Sequence, residues 1–498
     1  MHITKRCRTS GAVIVIFPSV NLRSMDSVLK VIERMRMKGT PYMVKNKKAV
    51  GMKVAFEVKL RSKVGQLRAI PVNLGAGAPR AILAAYCACF DVDPYVEMFY
   101  FPPDTLKLAL FTEKGKILWK KDLGPGVVPG MWFVPFFPFD LDGDGVDEIW
   151  FVNNVNVEHP LGVSGYRLER LDARTGKTTG QWQWPDLGGP QALSHQFRNF
   201  ILGGYVRGKP VLVTAQGTYE SMFLHGWWPD MKPRWEHVID KDAPGARGSH
   251  MCPIADLDND SVQEVMWGER CIELDGGREL FCADRDHYKG HSDVVLPVLD
   301  KATGKWFLYT CRESDNQVSP RVALFDNKGV RVWGDLDQGH IDMGWAARLG
   351  EGRRHVAMAI RIGHKTCGPR GRFHEGREEF IYDCLTGQKA QLPFGVYRTF
   401  PVDVNGDGYH EIVHEGEVFD RHAKPLGKVK GSLAMACKFL DKPGEQVLMW
   451  TEDGTVRAYI YSRAEDTDEA VARYANPLYD ANRRLTSSGS NIMALAGI

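Results

Sequence analysis

The sequence predicts an all-β fold, a β-propeller with eight blades. Three observations predict it: short strand-like runs recur at near-regular spacing, Gly/Asx turns separate them, and a unit of about four strands repeats along the chain. The unit is plainest between residues 131 and 183. There MWFVPFFPFD reads as a strand, DLDGDGVDE as a turn and IWFVNN as a second strand. YRLERLDA is a third, RTGK a turn and TTGQWQW a fourth.

The same order restarts at Leu67, Phe197, His250, His291, His340, Tyr397 and Leu433. That makes eight units, and irregular spacing leaves seven or nine as the alternatives. The unit opening at Leu433 stops one strand short. A closed ring joins its last blade to its first, and KVAFEVKL (53–60) is the early strand that fills the gap and removes two exposed sheet edges. The expected boundaries are a basic leader over 1–50, disordered or an export segment, a propeller over 51–465, and a polar tail over 466–498 packing on the propeller.

The 498 residues carry 64 Lys and Arg against 61 Asp and Glu, a formal charge of +3. That lacks the basic excess of a nucleic-acid binder. The longest early apolar run, Ala12 to Phe17, is far short of the roughly 20 residues that span a bilayer, and short of the roughly 7–15 of a signal-peptide core. Lys5, Arg6 and Arg8 precede it, so a degenerate export signal and a secreted or periplasmic, monomeric protein are the expectation. The ten cysteines form no CxxC pair and read as buried thiols; Cys87 and Cys89 alternate on one strand and share a face.

Three turns between first and second strands are acidic at alternate positions: Asp140, Asp142, Asp144 and Glu148; Asp256, Asp258, Asp260 and Glu264; Asp403, Asn405, Asp407 and Glu411. Ca²⁺ takes six to eight oxygens at such density. The spacing resembles the FG-GAP calcium loop of integrin-type propellers, with a structural role for the ion. Metal-free Asx turns are the other reading. The second turn departs from the pattern by having Ser261 where the others have glycine.

Propeller topology converts sequence position into a face. The start of each first strand and the loop between second and third strands lie at one end of the ring, and the acidic turns lie at the other. Strand starts carry His195 with Arg198, His250, His291 with Asp293, His340 with Asp342, and Tyr397 with Arg398. The loops carry Tyr219, Glu269, Arg270, Arg312, Glu313, His364, Lys365 and His374. Most of the histidines thus share one end, joined by Trp132, Trp227, Trp228 and Trp345, whose rings suit the apolar faces of sugars.

The DxDGDGxxDE turn, the repeat and this His/Tyr/Arg-rich face resemble the propeller polysaccharide lyases, a group that includes rhamnogalacturonan, ulvan and rhamnose–glucuronate lyases. The resemblance covers roughly residues 70–465. It implies β-elimination on a uronate-containing, rhamnose-rich polysaccharide. A base removes the proton beside the carboxylate, a cation neutralises that carboxylate, and an acid protonates the leaving oxygen. His suits either proton transfer, and Tyr does so where nearby cations lower its pKa. In ulvan-type members a Tyr precedes an Arg by about one hairpin, a spacing similar to Tyr219 and Arg234; their paired histidines are matched here only by His159 and His195, at a different spacing. The roles implied are proton transfer for His195, Tyr219 and His250, carboxylate neutralisation for Arg198, Arg234 or Arg312, and substrate contacts for His291, His340, Trp345, Tyr397 and Arg398. A Zn²⁺ site from His250, His287, His291, His340, Cys271 and Cys282 is the alternative use of the same face.

The competing functions are a propeller glycoside hydrolase on a rhamnose–uronate linkage, for which Glu269 and Glu313 are a loose carboxylate pair, and a non-catalytic glycan-binding propeller. Quinone-dependent oxidation lacks support, because the sequence shows no repeated tryptophan docking motif of that family.

Overall fold

The structure, a computed structural model, describes residues 51–185, 192–313, 317–366, 369, 371, 373–487 and 493–498. The leader expected over 1–50 lies outside the described residues. Antiparallel sheets succeed one another at 66–122, 136–183, 199–239, 254–282, 292–335, 340–383, 400–428 and 432–461. These are eight blades, and the seven- and nine-blade alternatives fall. The sixth carries three strands in its ladder and an extra hairpin, His364–Thr366 with Phe373–Glu375.

Closure is the expected one. Met52–Lys59 pairs antiparallel with Thr455–Tyr461 and becomes the outermost strand of the eighth blade, with Phe56 and Val58 buried beneath it. Inner strands are covered on both faces by neighbouring blades, so they read as unbroken apolar runs, as in the wholly buried Ala81–Cys87. Outer strands see solvent, and Ile117–Asp122 alternates half-buried with exposed.

Neighbouring blades are clasped by aromatic rings. Indole nitrogens of Trp119, Trp235 and Trp333, each on a fourth strand, donate to the carbonyls of Ala173, Leu274 and Cys384 on the following blade, each at 2.8 Å. Each ring lies over a turn glycine, Gly176, Gly277 or Gly387, at φ of 68°, 69° and 71°. A Cβ at Gly277 would stand 2.4 Å from the Trp235 ring, so glycine is needed there for space as well as for its left-handed backbone. The clasp is not legible as a sequence repeat because the three tryptophans sit on alternate blades, the first, third and fifth.

The tail closes one end of the ring. Its helices Asp468–Tyr474 and Pro477–Arg483 are capped by Thr467 and Asn476, whose side-chain oxygens accept from Ala470 and Leu478 N–H. Asn482 accepts from Ile254 N–H and donates to Ile254 O, extending the fourth blade's inner strand. Arg484 donates to Pro138 O at 2.9 Å and to the Asp147 carboxylate at 2.8 Å in the second blade. Leu299 N–H of the fifth blade donates to Gly497 O at 2.9 Å. Arg473 pairs with Glu445 at 2.7 Å in the eighth. These contacts fall on the face of the acidic turns, so the axial channel opens at the other end. Among the described residues no helix is long and apolar enough to cross a membrane.

Replacing Arg484 by Ala leaves the Asp147 carboxylate, 2% exposed, without its cation. The expected result is a stability loss of about 3–5 kcal/mol, read from urea unfolding.

Candidate functional site

At the open end lies a cavity of about 940 Å³. Five blades build it. Strand starts supply His195, Arg198, His250, His291 and His340, and the loops after second strands supply Tyr219, Glu220, Glu313 and Lys365. The first blade adds Asp93, Tyr95, Glu97 and Met98 from the segment 88–105.

Local backbone explains how the carboxylates reach the axis. The fifth and sixth blades begin with His291-Ser-Asp293 and His340-Ile-Asp342, and strand alternation puts each His and its Asp on one face. The ladder register slips at both places, between Ser292 and Val294 and between Ile341 and Met343. Such bulges re-aim a side chain, here the two aspartates.

The result is one connected cluster. The Tyr219 hydroxyl and His250 Nε2 share a hydrogen bond of 3.1 Å, and His250 Nδ1 lies 3.0 Å from Asp293. Glu313 is bonded closely by both His291 and His340. Lys365 Nζ donates to Glu313 at 3.0 Å and Asp342 at 2.7 Å. His374 bridges Asp342 at 3.1 Å to the Tyr397 hydroxyl at 3.1 Å. Arg198 pairs with Asp93 at 3.2 Å and lies over the Tyr219 ring at 5.2 Å. Tyr219 itself adopts φ 84°, a strained conformation for a bulky residue, of the kind that concentrates at functional sites.

Burial pushes the Tyr219 hydroxyl well above its ordinary value; Arg198 opposes this but the nearby carboxylates add to it. The expectation that cations lower a tyrosine here is therefore corrected: Tyr219 keeps its proton at neutral pH. Burial also lowers His195 and His250, which stay neutral imidazoles. Asp293 is raised well above the carboxylate range by burial and by repulsion from Glu313 and Asp342.

That crowding fits a cation. Ligand atoms of His250, His291, Asp293 and Glu313 lie within 4.8 Å of one another, and so do those of Asp293, Glu313, His340 and Asp342. Fully ionised, the three carboxylates carry more negative charge than the Lys365 ammonium beside them offsets. Cys271 and Cys282 belong to neither group; they stand on the third and fourth strands of the fourth blade. His287 is turned to Ser319 O instead.

No family model matches the chain. Over 298 residues it is 24% identical to rhamnogalacturonan exolyase YesX of Bacillus subtilis, covering 48% of each chain. Over 286 residues it is 24% identical to rhamnogalacturonan endolyase YesW of the same organism, covering 44% of this chain and 46% of the other. The match thus spans about half the length of these curated relatives. Among solved structures, exotype rhamnogalacturonan lyase YesX superposes with a TM-score of 0.67 at 19% identity, covering 88% of this chain and 80% of the other. Rhamnogalacturonan lyase PL11 of Bacillus licheniformis gives 0.69 at 18%, with the same coverage. The chain resembles rhamnogalacturonan lyases in sequence and in fold.

On this lyase-like propeller, six of the residues given lyase roles from sequence share the cavity, His195, Arg198, Tyr219, His250, His291 and His340, and Glu313, His364 and Lys365 from the same face line it with them. Others do not. Arg234 is on the outer strand of the third blade, stacked on Trp228 at 3.8 Å and paired with Asp275. One hairpin of spacing carries it outward from the axis. Arg312 is fully buried, tying Glu269 at 3.1 Å and Asp284 at 2.8 Å across two blades. It is a strut, and it also withdraws Glu269 from the carboxylate pair considered for hydrolysis. Trp345 is sealed in the core and donates to Thr399 Oγ1 at 3.0 Å. Tyr397 reaches the cluster through His374. Arg398 lines a second, methionine-rich cavity of about 450 Å³ deeper on the axis. Sequence reasoning passed over Asp93 altogether and left Lys365, Asp342 and His374 without roles. The repeated His-x-Asp was a signal for Asp342; none marked Asp93.

The acidic turns keep their expected end. Carboxylates of Asp140, Asp142 and Asp144 converge, as do those of Asp256, Asp258, Asp260 and Glu264. Those of Asp403, Asp407 and Glu411 do not gather so closely among the described residues. Ser261 is no obstacle to the second turn: it takes φ 71°, close to the 86° and 83° of Gly145 and Gly408. Burial raises Glu148 and Glu264 to about 8.

Arg312→Ala strands a buried Glu269, so it is expected to lower stability by about 3–5 kcal/mol, whereas a strut-independent cavity residue such as His195 is expected to be replaceable at less than half that cost; thermal unfolding distinguishes them.

Proposed function

We propose that this protein is a polysaccharide lyase that cleaves a uronate-containing, rhamnose-rich polysaccharide by β-elimination. The observation that carries the reading is the cavity's pairing of a neutral imidazole and a protonated phenol beside fixed cations, with the likeness to rhamnogalacturonan lyases as support. His195 lines the cavity as a neutral imidazole, the form in which it can take the proton beside the uronate carboxylate. Tyr219 donates its proton to the leaving glycosidic oxygen, and His250 at its hydroxyl relays the replacement. Arg198 and Lys365 hold the uronate carboxylate, which makes the departing proton more acidic. A divalent cation on His250, His291, Asp293 and Glu313 would supply further neutralisation of that carboxylate. Ca²⁺ in the first two acidic turns would act structurally. A polymeric substrate places the enzyme outside the cytoplasmic membrane.

The deciding assay incubates the protein with a panel of uronate polysaccharides and follows the ultraviolet absorbance of the unsaturated product. A rise on one glycan is the expected result. Release of reducing ends without it overturns elimination in favour of hydrolysis, and silence in both overturns catalysis. Tyr219→Phe and His195→Ala are each expected to lower kcat by about 10²–10⁴-fold while circular dichroism shows the protein still folded; activity retained in both removes these assignments.

Elemental analysis is expected to find a divalent metal in purified protein, with one equivalent fewer in Glu313→Ala. An unchanged metal content in that variant argues against the central site, and a chelator-insensitive unfolding temperature argues against ions in the turns.

A further inference from the structure

Behind the cavity wall, the first blade's second strand, Ala81–Cys87, ends in a bend at Ala88 and Cys89. An extended strand would hold the two side chains of a Cys-x-Cys on one face but apart. The bend draws them together, and the Cys87 and Cys89 sulfurs lie 2.9 Å apart. The bend is held from several sides. Ala88 N–H donates to Asp104 at 2.8 Å, Gly65 N–H donates to Cys87 O at 2.8 Å, and Phe90 O accepts from Gln66 at 2.9 Å and from the Tyr100 hydroxyl at 2.6 Å. Covalent S–S bonding requires about 2.05 Å, so less than about 1 Å separates this contact from a bond.

The two thiols are not equivalent. Cys87 is fully sealed, while Cys89 is 8% exposed. The hydrogen bond between them favours the thiolate on Cys89, whose pKa is lowered by it, and holds the proton on Cys87, whose pKa is raised by it. This is the division of labour of an attacking and a resolving cysteine.

We propose that Cys87 and Cys89 are a reversible redox couple, closed into a disulfide by exchange with a low-molecular-weight disulfide. The Cys89 thiolate attacks one sulfur of the reagent, forming a mixed disulfide and releasing one thiolate. Cys87 then loses its proton to that thiolate and attacks Cys89 Sγ, releasing the second. Two thiols are oxidised by two electrons, and one external disulfide is reduced to two thiols. The couple sits at the base of segment 88–105, which carries Asp93 to Arg198 in the cavity wall.

The test uses the full chain, reduced and then exposed to bis(2-hydroxyethyl) disulfide at neutral pH, quenched by denaturing alkylation and mapped by mass spectrometry. The expected result is loss of alkylation at both cysteines, with the peptide lighter by two hydrogen atoms, and full reversal by a dithiol. Cys87→Ser is expected to stop at a mixed disulfide on Cys89, and Cys89→Ser to leave Cys87 unreacted, circular dichroism showing both variants folded. Quantitative alkylation of both cysteines in the treated, folded wild-type protein overturns the proposal. So does a folded Cys87→Ser protein with no adduct on Cys89.

Discussion

Everything at the open face depends on one sheet being made from both ends of the folded chain. The pairing of Met52–Lys59 with Thr455–Tyr461 turns eight blades in a row into a ring. An open arc would leave two hydrogen-bonding edges exposed and would let its inner strands splay. In the ring those inner strands converge, and their starts come close enough for five blades to furnish a single cavity. The tail acts on the same constraint from the far end, through Asn482, Arg484 and Arg473 reaching the fourth, second and eighth blades. Tryptophan clasps on the outer strands hold neighbouring blades at fixed separation.

A ring that brings strand starts together also brings their charges together. Asp293, Glu313 and Asp342 would repel one another in a site already withdrawn from water. Burying charge is costly unless partners compensate, and here Lys365, His291, His340 and His374 are wrapped around the acids. The same rigidity keeps Tyr219 in a backbone conformation it would not adopt alone. Scaffold stability is thus spent on an arrangement of groups whose ionisation is displaced in opposite directions: a phenol that holds its proton beside imidazoles that stay neutral. That is the condition for moving a proton from one side of a substrate to the other.

The clasp and the struts show why similar residues end in different roles. Arg198 and Arg312 both belong to the polar end of a blade. Arg198 reaches Asp93 in the cavity wall, while Arg312 turns between blades and is consumed by Glu269 and Asp284. Trp345 has the residue type of a sugar platform and the position of a core side chain. Chain spacing cannot separate these outcomes, because it reports distance along a strand and not the direction in which a neighbouring blade presents its partner.

By itself the sequence determined the repeat, the closing strand, the acidic turns and the face on which histidines gather. Each follows from local rules: strand alternation, turn chemistry and the fixed direction of every first strand around a ring. Tertiary structure decided which of those side chains meet. It selected His195, Tyr219 and His250 and set aside Arg234, Arg312 and Trp345. It also added Asp93, from a loop whose sequence has no distinguishing pattern, and gave Lys365 its place between Glu313 and Asp342. The physical reason is that the cavity is an intersection of five blades, and membership in it depends on the reach of strand starts and loops from blades far apart in the chain.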